Sequence, residues 1–192
     1  MSGPALRGAP RPYIEKEAAL LQRLARDGRV NLDGAAGDTL TRFTAGRRGV
    51  ELVVYNARSS DAVEPDVFCK ALLVVGDAKP NDPLRWSEVG QRLEIVPQTD
   101  PVRLARHGGV FEVQVLFERE PLPGARIVVV PDTAPAEGRK RSVTDEIGLA
   151  RFGLDRPGRW MVMLEHEAPC GDCADARSPR RWFASLVLSA GS

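Results

Sequence analysis

The feature that most constrains this chain is a two-residue alternation over residues 109–118, GVFEVQVLFE. Phe111, Val113, Val115 and Phe117 fall on one face, and Glu112, Gln114 and Glu118 fall on the other. A period of two predicts a strand with one face buried and the other wet. Around it lie further short apolar runs bounded by turn residues: 50–55, 68–75, 93–96, 125–130, 149–152, 159–167 and 182–188. They predict strands as well. Trp160, Val162, Leu164 and His166 are expected to share one face of their strand, and Trp182, Ala184, Leu186 and Leu188 one face of theirs. Trp160, Trp182, Phe111 and Phe117 are expected to be core residues and not a stacking platform.

The punctuation between the runs predicts how they connect. Residues 120–124, EPLPG, form a turn leading from the 111–117 strand into a returning strand over 125–130. Residues 142–152, SVTDEIGLARF, are expected to form a hairpin around a Gly-containing turn. Arg156, Pro157 and Gly158 make the next turn. Residues 14–25 instead space Ile14, Ala18, Leu21 and Ala25 helically, predicting a short amphipathic helix. Residues 40–43 are a candidate strand, and residues 1–10 are expected to be a flexible tail.

These signals predict an all-β protein of two β-sandwich modules with one short N-terminal helix. The first, over 11–98, is incomplete at its N-terminal side. The second, over 105–190, is a sandwich of immunoglobulin or transthyretin type expected to fold alone. A link over about 98–105, carrying Asp100 and Pro101, separates them.

Charge narrows the function. The chain of 192 residues carries 27 Lys and Arg against 26 Asp and Glu, a net charge of +1. That balance argues against a nucleic-acid partner. The basic clusters at Arg139–Lys140–Arg141 and at Arg177, Arg180 and Arg181 are expected to be solvated loops. No apolar run reaches the roughly 20 residues of a membrane-spanning helix. Read from Met1, the N-terminus has no signal-peptide layout, which leads to a cytoplasmic expectation. No nucleophile elbow, phosphate loop, zinc-protease motif or dinucleotide fingerprint is present, so no catalytic residue and no enzymatic activity are expected.

One constellation can carry chemistry: His166, Cys170 and Cys173. Imidazole and thiolate suit zinc, nickel or cobalt, and a C-x-x-C pair can hold one ion from a single turn. Water, Asp172 or Asp175 would complete the set. The same cysteines can close a small disulfide loop in an oxidising compartment, or stay reduced and inert. His166 can equally end the inward row as a core-rim residue, and His107 is expected to be exposed beside Gly108.

Five segments in fixed order resemble a known family. They are LEIVPQTDP at 93–101, PLPGARI at 121–127, TDEIGLARF at 144–152, PGRWMVMLEH at 157–166 and WFASL at 182–186. The chain resembles, best over residues 70–188, domain-of-unknown-function family 4198, secreted bacterial proteins associated with nickel uptake. The resemblance implies a periplasmic, non-enzymatic binding or accessory module for transition-metal uptake, with a metal ion or membrane transport components as partners. The alternative function is a structural or adhesion-type module that contacts a protein or glycan through its end loops. Such proteins begin with a signal peptide and a first strand bearing a His-Asp-Phe-Trp-like motif. Neither occurs here, so a start placed too far downstream or a truncated gene is expected.

Overall fold

The computed structural model describes residues 20–25, 28–31, 49–59, 64–76, 79, 82–132, 138–169 and 179–190, with the backbone alone for 20–25, 28–31 and 190. In chain order the strands are β1 (Leu20–Ala25), β2 (Gly28–Asn31), β3 (Gly49–Ala57), β4 (Asp66–Val75) and β5 (Leu93–Pro97). Helix α1 (Pro101–His107) follows. Then come β6 (Gly109–Phe117), β7 (Glu120–Pro121), β8 (Arg126–Pro131), β9 (Lys140–Val143), β10 (Leu149–Leu154), β11 (Trp160–Pro169) and β12 (Pro179–Ala190). The protein is all-β, and its strands form two sheets. The larger runs β2-β1-β3-β4-β12-β11-β8-β9; the smaller runs β10-β6-β5, with β7 paired to β6.

The alternation in the sequence becomes the core. Phe111, Val113 and Val115 of β6 are fully buried against Ile127 and Val129 of β8, Trp160, Val162 and Leu164 of β11, and Trp182, Ala184, Leu186 and Leu188 of β12. Each such Val or Leu contributes about 1.5–3 kcal/mol by leaving water. A second cluster joins Val50, Leu52 and Val54 of β3 and Leu72 and Val74 of β4 to Leu84, Val89 and Val102. Leu84 comes from a 3-10 turn, Pro83–Trp86, and Val102 from α1. These two short helical pieces cover the part of the large sheet that the small sheet does not reach.

Several connections differ from the sequence expectation. The expected helix over 14–25 is described only from Leu20, and there the chain is strand β1, paired with β2 and β3. Backbone pairing in a sheet overrides a weak helical spacing. The α-helix among the described residues lies in the link instead. Asp100 caps it by accepting the Val102 and Arg103 amides, and Pro101 occupies its first turn. Residues 142–152 are not a hairpin: β9 pairs with β8 in one sheet, and β10 pairs with β6 in the other. Likewise β6 and β8 lie in opposite sheets. Alternation tells which side chains face the core, but both sheets face the same core. The candidate strand over 40–43 and the expected tail lie outside the described residues.

The link near residue 100 does not separate the sheets. β5, before it, pairs with β6, after it. β12 pairs in parallel with β4 over nine registered positions, from Trp182 opposite Asp66 to Ala190 opposite Val74. Both sheets therefore draw on both halves of the chain.

Candidate functional site

The motif residues can be sorted by what their side chains touch. Most are fasteners. Thr144, buried, accepts the Ala125 amide and donates to the Leu122 carbonyl. Asp145 accepts the amides of Ile147 and Leu149. Gly148 has a φ of 73°, and a Cβ there would stand 2.8 Å from the Val115 carbonyl oxygen. Asp100 caps α1, and the Gly158 amide donates to the Ala105 carbonyl. The indole N–H of Trp160 donates to the Arg156 carbonyl at 3.2 Å.

Glu94 is a fastener of another kind. Its carboxylate accepts the backbone amides of Val89, Gly90 and Gln91 and the Lys70 ammonium, the last at 2.6 Å. Lys70 also donates to the Ser87 carbonyl. Each residue of the pair is 1 % exposed. Gln91 continues the network by donating to Asn56 Oδ1 at 2.6 Å. A buried pair survives when further hydrogen bonds saturate it, as here. Asp66, buried, and Arg180, partly buried, form a second pair where β4 meets β12, and Arg180 also donates to the Ser59 carbonyl. Arg180 is thus not the solvated loop residue expected, and Arg181 pairs with Glu165. Lys140 and Arg141 sit in β9, with Lys140 paired to Asp155. Sequence reasoning missed both pairs. The signal was present as Lys70 and Glu94, lone charges of opposite sign inside apolar strands.

His166 is different. It is opposite Trp182 in the β11–β12 ladder and lies at the end of the inward row Trp160, Val162, Leu164. Phe117 meets its ring edge-on at a centroid distance of 4.7 Å, and Trp182 stacks at 6.2 Å. Phe117 and Trp182 are 4.9 Å apart, and the Arg92 guanidinium lies 5.6 Å from the centre of the Trp182 ring. Arg92 is held there by Glu118 at 2.7 Å. Glu118 and Arg119 make the β6–β7 turn with φ of 53° and 74°, a left-handed geometry that non-glycine residues rarely adopt. Burial pushes the His166 imidazole below its ordinary pKa, which holds it neutral.

Two polar groups in this cluster remain unspent among the described residues. The His166 ring nitrogens make no hydrogen bond, and the Trp182 indole N–H is buried without an acceptor. An unmet buried donor costs about 1–3 kcal/mol. The cluster sits where β11 ends at Pro169, one residue before Cys170. Cys170, Asp172, Cys173 and Asp175 lie outside the described residues. Among the described residues no group of three or more His, Cys, Asp or Glu could hold a metal ion. Of the expected set His166, Cys170 and Cys173, the described residues include His166, whose neutral imidazole suits a borderline divalent ion. His107 is exposed at the end of α1, as expected. Among the described residues no helix is long and apolar enough to cross a membrane, which says nothing of spanning by strands.

The fold and the cluster define a two-sheet β-sandwich whose polar interior is almost wholly committed to holding its own strands. Residues 17–168 match the family described as domain of unknown function DUF4198, and the chain belongs to that family. No curated protein matches the chain.

Proposed function

We propose that this protein is a non-enzymatic, periplasmic binding module that takes a soft or borderline divalent metal ion, nickel or cobalt, at the end of β11 as an accessory to transport. The ligands are His166, Cys170 and Cys173, with water or Asp172 as the fourth. The observation that carries this reading is the state of His166: neutral, backed by Phe117 and Trp182, and with no hydrogen bond to its ring nitrogens among the described residues.

The thiols must be reduced. Paired as a disulfide, Cys170 and Cys173 would leave His166 alone. Binding strengthens as pH rises, because the thiols lose protons on coordination. Titration of the reduced protein with cobalt tests the site through thiolate charge-transfer absorption. Absorption in the wild type that is lost in Cys170→Ser and weakened in His166→Phe is the expected result. No absorption, or the same absorption in Cys170→Ser, rejects the site.

A further inference from the structure

The large sheet has a second face. On the side away from the core, neighbouring strands align Tyr55, Cys69, Ser185, Met163 and Val128 in one row across β3, β4, β12, β11 and β8. The next row across the same strands is Val53, Ala71, Val187, Met161 and Val130. Neither row contains a charge; Ser185 and the Tyr55 hydroxyl are their polar groups. The small sheet is unlike this. Its outward positions include Glu112 and Gln114 on β6 and the exposed Arg151 on β10. A sheet face in water normally alternates to polar residues, and strands that are apolar on both faces are those covered on both. Among the described residues, helical cover lies on the opposite face only, where Val102 and Leu84 pack on Val50, Leu52, Val54, Leu72 and Val74.

We infer that this face is the interface between two copies of this chain, packed sheet on sheet. The area suits it. Counting these two rows together with the rows on either side of them, five strands about 4.8 Å apart and seven residues long at about 3.4 Å each present roughly 600 Å² in projection. Side-chain relief raises the accessible area toward the roughly 800 Å² that each partner buries in a stable complex. The charge suits it as well. A net charge of +1 gives two copies almost nothing to repel, and the two central rows place no like charges against each other. Charges surround these two rows: Arg141 of β9 is paired opposite Val128 and Arg23 of β1 opposite Val53, while the buried Glu51 stands toward one end of the strands and the Arg181–Glu165 pair toward the other. An isologous contact needs one surface that matches itself, and an uncharged apolar face does.

Sedimentation of the full chain in reducing buffer, from nanomolar to micromolar concentration, tests this. The expected result is a species with the mass of two chains that dissociates on dilution. Ala71→Arg and Met163→Glu each place a charge in one of the rows and are expected to weaken the dimer at least tenfold, with unchanged circular dichroism. Ile147→Glu, in an exposed turn off this face, leaves it intact. Cys69 provides a readout without altering the apolar rows. In a Cys170→Ser/Cys173→Ser background, its alkylation should slow as protein concentration rises. A wild type that remains a single chain throughout overturns the inference, as does a dimer that survives both charged variants. In the single-chain case, Cys69 that resists alkylation at every concentration means that it is shielded within the folded chain, where burial already raises its thiol pKa. Reactive Cys69 means that the face is open to some other partner.

Discussion

His166 shows how one side chain links packing to pH. Its inward position on β11 removes it from water, and the protonated imidazole loses more by that than the neutral one. The folded state therefore binds this proton more weakly than the unfolded chain, in which the pKa returns to about 6.5. Stability from this residue is complete above that value. It is lost as pH falls through it toward the lower folded pKa, because the unfolded chain takes up the proton first. Glu88 runs the other way. Partial desolvation of this otherwise exposed side chain, with Glu94 adding to it, raises its pKa, so its small contribution favours acid and fades as pH rises through the carboxylate range. The two are separable by substitution. Urea melts of the wild type between pH 7.5 and 5 are expected to show a falling midpoint, and His166→Phe should remove most of that slope. An unchanged slope in the variant would place the titrating group elsewhere.

Between strands, the buried ions act as clasps. Lys70 belongs to β4 of the large sheet and Glu94 to β5 of the small one, so their contact ties the two sheets together. Glu94 also fixes the loop before it through three amides, and that loop places Gln91 on Asn56 of β3. Removing one partner leaves a charge buried and unpaired, whereas removing both leaves only a packing change. Lys70→Met is expected to cost about 3–5 kcal/mol. The double variant Lys70→Met/Glu94→Gln should recover part of that loss, since the glutamine oxygen still accepts amides. Denaturant titration of the wild type, both single variants and the double reads the coupling. Additive losses would mean that the pair contributes nothing as a pair.

At the scale of the molecule, the pairing of β12 with β4 decides how the chain behaves. Residues 103–192 contain most of the main core, yet alone they lack Leu93 and Ile95, which are fully buried in it. They also leave β12 without its parallel neighbour and β6 without β5. Two long unpaired edges invite association with other chains. A fragment covering 103–192 is expected to lack a cooperative melt and to aggregate, while the whole chain unfolds in one transition. Dispersed amide NMR signals and a sharp melt from the fragment would show that the halves are separable.

Residue spacing alone determined which side chains point inward in β6, β11 and β12, and that the chain turns near residues 120–124, 145–148 and 156–158, although the left-handed turn itself falls at Glu118–Arg119. Those are local matters: a pleat alternates every two residues, and Gly, Pro and Asp set turn geometry within four. It also marked His166 as the end of an inward row and placed Cys170 and Cys173 just beyond its strand. Only the tertiary structure decided which sheet each strand joins, because the backbone hydrogen bonds of a ladder are nearly blind to sequence and both inner faces want the same apolar residues. Only it decided that residues 20–25 pair as a strand despite their helical spacing. And only it joined Lys70 to Glu94 across 24 positions and Arg180 to Asp66 across 114, since the reason for burying a charge is its partner, and the partner is far away in the chain.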